Sequence, residues 1–120
     1  MKILLVDDSV MTRKSLKKIL EDSGYDFTFE EASTGKDAVR LYKQISPDLV
    51  FMDNQMPEMD GLTALEKIKE IDSQAKIIMC SSEGYKDKVI EAAKAGAVHF
   101  IAMPYESQGV INNVKKVLNL

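Results

Sequence analysis

Two textures of apolar residue alternate along this chain. Short unbroken runs, Ile3-Leu4-Leu5-Val6, Leu49-Val50-Phe51-Met52 and Ile77-Ile78-Met79-Cys80, read as strands buried on both faces. Between them, apolar residues recur at three- and four-residue spacing, the mark of amphipathic helices. Ser9 caps the first helix, whose inward face carries Leu16, Ile19 and Leu20 and which closes at Gly24. Phe27 to Ala32 is a less apolar strand, and so one nearer an edge. A second helix from about Gly35 presents Ala38, Val39, Leu41, Tyr42 and Ile45, and Pro47 breaks the chain before a strand at 48–53. Leu62, Leu65, Ile68 and Ile71 mark a third helix, and 76–80 form a fourth strand. Val89, Ala92 and Ala93 mark a fourth helix ending at Gly96. Val98 to Ala102 is the fifth strand, and Val110, Val114, Val117 and Leu118 line a last helix.

Five strand–helix units require right-handed crossovers and a mainly parallel sheet. The expected fold class is α/β: a doubly wound, flavodoxin-like five-stranded parallel sheet of order 2-1-3-4-5. That order places the first and third strands side by side at the switch point, where open α/β sheets bind ligands. Three acids stand there, because Asp7 and Asp8 follow the first apolar run and Asp53 follows the third. Carboxylates about 4 Å apart repel by roughly 4 kcal/mol at an effective dielectric near 20. A cluster of this kind implies shifted pKa values or a bound cation. Oxygen ligands without His or Cys favour magnesium, with manganese or calcium as alternatives, over zinc.

Composition narrows the field. At 120 residues the chain is read as one domain, 1–120, with a substantial core and no second unit. The net charge of -3 comes from interspersed acids and bases, without the basic stripe of a nucleic-acid binder. The lone Cys80 excludes an internal disulfide and suits a reducing, cytoplasmic setting; its place in an apolar strand marks it as core. No apolar run reaches the roughly 20 residues of a membrane span. A monomer is expected.

The motifs become specific when taken together. Val6-Asp7-Asp8-Ser9 is followed by Asp48-Leu49-Val50-Phe51-Met52-Asp53-Asn54-Gln55-Met56-Pro57-Glu58-Met59-Asp60-Gly61 and then by Ile78-Met79-Cys80-Ser81-Ser82. Over its whole length the chain resembles the receiver domain of two-component response regulators, most closely the stand-alone chemotaxis (CheY-like) type. The resemblance implies a phosphoacceptor protein rather than an enzyme, with Asp53 receiving a phosphoryl group from a histidine kinase or a small phosphodonor. It implies that Asp8, Asp53 and the Gln55 backbone carbonyl bind magnesium directly, with Asp7 acting largely through water. The rival reading of Asp7-Asp8 alone is a helix cap beside a solvated acid.

The same resemblance gives Ser81 as the hydroxyl that contacts the phosphoryl group, and Ser82 as the small neighbour whose N–H faces it. Phe100 takes the position of an aromatic switch; its competing reading is a permanent core residue. Gln55 and Glu83 flank the path of water to the acyl phosphate and would tune self-dephosphorylation. His99 is read as a strand-end residue without chemistry. Met52 and Met79 are read as core, while Met56 and Met59 pack the loop beside Asp53. The output would be a protein target, such as a flagellar switch, on the face of the fourth helix, fifth strand and fifth helix. Lys86, Lys88, Lys94, Phe100 and Tyr105 are the candidates on that face.

One position departs from the resemblance. The family places a lysine before proline after the fifth strand, whereas this chain has Met103-Pro104, a pair whose X-Pro bond readily adopts cis. Methionine is uncharged and cannot donate to an anion. A buried charge-assisted hydrogen bond contributes roughly 1.5–3 kcal/mol. Weaker phosphoryl binding and looser switching are expected. No substitute stands at an equivalent place; Lys86 and Lys88, in the loop and helix after Ser81, are the candidates. Two further readings follow: a phosphorylation-independent adaptor built on a receiver fold, supported by Met103, and a magnesium-dependent phosphatase, disfavoured because so short a chain has no cap insertion.

Overall fold

The computed structural model describes residues 1–82 and 86–120. Strands β1 (Lys2–Val6), β2 (Thr28–Ala32), β3 (Leu49–Asp53), β4 (Ile77–Ser81) and β5 (His99–Ala102) alternate with helices α1 (Val10–Glu21), α2 (Gly35–Ile45), α3 (Gly61–Ile71), α4 (Lys86–Ala95) and α5 (Ser107–Leu118). All pairings are parallel and the order is β2-β1-β3-β4-β5, the order the family resemblance implies. Every residue of β3 and β4 is buried, whereas the edge strand β2 is largely exposed.

Side chains alternate across each strand, so the sheet feeds two cores. Leu4, Val6, Val50, Met52, Ile77 and Met79 meet α2, α3 and α4 through Ala38, Tyr42, Leu65, Ile68 and Ala92. Ile3, Leu5, Leu49, Phe51, Ile78 and Cys80 meet α1 and α5 through Leu16, Leu20, Val110, Val114 and Leu118. Met52, Met79 and Cys80 are core residues, as their place in the strands predicts.

The helix starts obey capping chemistry. Ser9 Oγ accepts from the Thr12 N–H at 3.2 Å, Thr34 Oγ1 from Asp37 at 3.1 Å and Asp60 Oδ1 from Thr63 at 2.8 Å. One expectation is corrected, and some of the apolar residues that mark α3 and α4 prove exposed. Helix α1 ends at Glu21 rather than Gly24, because the Asp22 N–H already closes on the Lys18 carbonyl and Ser23 Oγ donates to the Leu20 carbonyl. Ile71 faces solvent, since α3 has reached its last residue and passed the edge of the core. Val89 and Ala93 are also exposed, because only the Ala92 stripe of α4 is buried against the sheet.

Candidate functional site: an acidic cleft at the carboxyl rim

Strand register brings the three acids together. Val6 pairs with Met52, so the next residues outward are Asp7, just past β1, and Asp53 at the end of β3. Asp7, Asp8 and Asp53 each place a carboxylate oxygen within 4.8 Å of the others. Asp7 and Asp53 are buried, while Asp8 is exposed. Two of the carboxylates are anchored locally, Asp7 Oδ1 accepting from the Ser9 N–H at 2.8 Å and Asp53 Oδ1 from the Gln55 N–H at 3.2 Å.

The electrostatics are those of crowded anions. Burial first, then the Asp7 charge, pushes the Asp53 carboxyl up to about 6, against the opposing pull of the Gln55 N–H. Burial likewise raises Asp7; the Ser9 N–H opposes this and the Asp8 charge adds to it. Arg13 supplies the nearest compensation from below. Its Nη1 donates to the Asp7 backbone carbonyl and its Nε pairs with Glu31 at 2.8 Å, so part of its charge is already neutralised. A hard divalent cation fits this donor set: three carboxylates meet at one rim, two of them hold protons too tightly, and among the described residues no His or Cys joins them.

The acids open into a cleft of about 1000 Å³, walled by α1 residues Met11, Thr12 and Ser15 and by the loop from Gln55 to Pro57. Ser82, Met103, Pro104 and Tyr105 close the other side. Among the described residues, no lysine or arginine lines this cleft. The β3–α3 loop is drawn in tightly: a Cβ on Gly61 would meet the Asp53 carbonyl oxygen at 2.1 Å, so only glycine allows α3 to start so close to the acid. Met56 and Met59 pack this loop against the core, as read from the sequence.

The other sequence candidates are distributed unevenly. Ser81 ends β4, is buried, and its carbonyl accepts from the Met103 N–H at 2.8 Å. Gln55 and Ser82 are exposed at the cleft. Phe100 is half-buried and packs toward the α2–α3–α4 core, away from Met103 and Tyr105, which pack toward α1 and α5. His99 is half-buried at the start of β5, and Met103-Pro104 is cis. Glu83 lies outside the described residues. Tyr105, read from the sequence as part of an outward face, is instead half-buried and lines the acidic cleft. Its position just past a proline and outside any periodic run gave no signal of this.

A family model for the response regulator receiver domain matches residues 3–115. The chain belongs to the response-regulator receiver family. This receiver is 49% identical over 118 residues to the chemotaxis protein CheY of Bacillus subtilis, with 98% of each chain covered. It is 45% identical over 116 residues to the Thermotoga maritima CheY, covering 97% of this chain and 96% of that one. Among solved structures, CheY from a CheX–CheY–BeF3–magnesium complex of Borrelia burgdorferi superposes with a TM-score of 0.91 at 37% identity, covering 98% of this chain and 88% of that one. The receiver is therefore of the chemotaxis, CheY-like kind, a class of two-component signalling proteins rather than classic enzymes. Receiver domains bind magnesium at an acidic pocket, and the Asp7–Asp8–Asp53 cluster is an acidic pocket of that kind. Among the described residues no helix is long and apolar enough to cross a membrane.

Proposed function

We propose that this receiver is a magnesium-dependent phosphoryl acceptor, modified at Asp53, that signals through protein contacts in a chemotaxis-like pathway. The convergence of Asp7, Asp8 and Asp53 in one cleft carries this reading. Asp8, Asp53 and the Gln55 carbonyl would hold the ion and Asp7 would act largely through water; the ion supplies the positive charge that an anionic nucleophile and an anionic donor both need. An Asp53 carboxylate oxygen attacks phosphorus, the O–P bond forms, and the P–N bond to the donor imidazole breaks as that nitrogen takes a proton. The Ser81 hydroxyl and the Ser82 N–H then donate to the phosphoryl oxygens. Gln55 and Glu83 set the lifetime of the product by controlling the approach of water, and unchanged lifetimes after replacing each with alanine would contradict that role.

The phosphodonor is a histidine kinase, and the partner is a protein target on the α4–β5–α5 face, either a flagellar switch component or a CheX-like protein. Phe100 reports the state of Ser81 to that face, where Lys94 is exposed. The protein acts as a cytoplasmic monomer. Met103 favours one second reading, a receiver fold kept as a phosphorylation-independent adaptor, because the described cleft lining holds no cation.

Intact mass after incubation with phosphoramidate or acetyl phosphate separates the two readings. One added phosphoryl group, lost without magnesium and in Asp53→Ala, is the expected result. No adduct under rapid trapping, with magnesium binding confirmed, favours the adaptor.

A further inference from the structure

Tyr105 lines the acidic cleft, yet the phosphoryl chemistry assigns it nothing. Register fixes its neighbourhood. Asp53 pairs with Cys80, and Cys80 with Ile101, so these three side chains form one row on the sheet face covered by α1 and α5. Tyr105 packs on that same face, its hydroxyl against the Cys80 thiol and close enough to Asp7 and Asp53 to feel both charges. It also lines a smaller interior pocket shared with Asp7, Thr12 and Arg13. The phenol thus stands on the inner wall of the cleft, one strand away from the acceptor. Burial raises its pKa, so it keeps its proton at neutral pH. The phenol O–H now sits against the Cys80 thiol; turned toward carboxylate or phosphoryl oxygens, which only accept, it can act only as a donor.

We propose that Tyr105 is an anion-binding residue of this site, whose hydroxyl donates to the anionic oxygens carried on Asp53 where Met103 offers no cation. The inference rests on the receiver reading and deepens it: the cleft holds its anion by a neutral donor on the β5–α5 side. A neutral donor stabilises the bound anion but does not change the net charge of the cleft. It therefore retains the phosphoryl group without replacing the charge rearrangement a lysine would bring.

The test is calorimetric titration of beryllofluoride in saturating magnesium into wild type, Tyr105→Phe, Met103→Lys and the double variant, with thermal melts to verify folding. Phenylalanine keeps the ring and removes only the hydroxyl. Tyr105→Phe should weaken binding about tenfold, the loss of one hydrogen bond to a charged group. With Met103→Lys present the same change should cost less than about twofold, because the two donors serve one anion and are not additive. Wild type should also show a tyrosine absorbance shift on binding that Tyr105→Phe lacks. Equal weakening in both backgrounds, or none, overturns the role of Tyr105 and leaves the receiver reading standing. Failure of wild type to bind beryllofluoride overturns both.

Discussion

The two halves of the carboxyl rim differ in kind. On the β1–β3 side, three carboxylates crowd together, each fixed by the end of a buried strand or the first turn beyond it. On the β4–β5 side stand hydroxyls and a thioether, Ser82, Met103 and Tyr105 in the cleft lining and Ser81 buried at the end of β4, with no cationic side chain lining the cleft among the described residues. The first half concentrates negative charge in the way a cation site requires. The second is built to donate hydrogen bonds without supplying charge. On the proposed function, capturing a phosphoryl group and converting that capture into a surface change would be separate tasks, carried by different strands of one sheet. In this chain the first side is present as three clustered carboxylates, and the described lining of the second is neutral.

The largest effect expected from breaking this contrast is on the acidic side. Asp8→Asn should lower magnesium affinity by at least about a hundredfold, since each carboxylate acts on the ion at close range. Ser82→Ala on the opposite rim should leave that affinity unchanged; magnesium titration of both variants checks the difference. Next, Met103→Lys would erase the contrast. Added charge beside the acids should raise beryllofluoride affinity about tenfold, the value of a charge-assisted hydrogen bond.

Protons sharpen the comparison further. Asp53 holds its proton more tightly in the folded chain, its pKa raised from 3.8 to about 6 mainly by burial. The Asp53 contribution to metal-free stability is therefore fully present below 3.8 and is lost as pH rises through about 6, a loss that magnesium should remove. The metal and the proton compete, so magnesium affinity should fall roughly tenfold per pH unit below the Asp53 pKa. Denaturation midpoints and magnesium titrations between pH 4 and 8, on the order of one pH unit apart, read both effects.

The smallest effect is expected away from the rim. The Tyr42 hydroxyl donates to Asp72 Oδ2 at 2.7 Å, tying α2 to the end of α3. Tyr42→Phe should lower the thermal midpoint slightly and leave phosphoryl uptake unchanged. A change in uptake would mean that the two rims are coupled through the α2–α3 layer.

Much of this was legible in the amino-acid sequence because burial on both faces writes itself as unbroken apolar runs. Ile3 to Val6 and Leu49 to Met52 announced central strands, and each ended on an acid, so the cluster followed from strand order alone. The polar, exposed Thr28–Ala32 announced an edge. What could not be read depended on direction rather than composition. Tyr105 has the same letters whether it faces out or lies over Cys80, and its place after Pro104 belongs to no period. Arg13 looks like one more helix-surface base, yet it reaches the Asp7 carbonyl just past β1 and Glu31 on β2. Val89 and Ala93 kept helical spacing but faced solvent, because α4 buries only a narrow stripe.

The most direct test of the division between the two rims is an amide chemical-shift map of the wild-type protein with magnesium and beryllofluoride. The account predicts large shifts at Asp7, Asp8, Asp53 and Gln55 and small ones over α4, β5 and α5, with Met103→Lys extending the large shifts to that face. Full-sized shifts across α4, β5 and α5 in the wild-type protein would contradict it, as would the absence of shifts around Asp53.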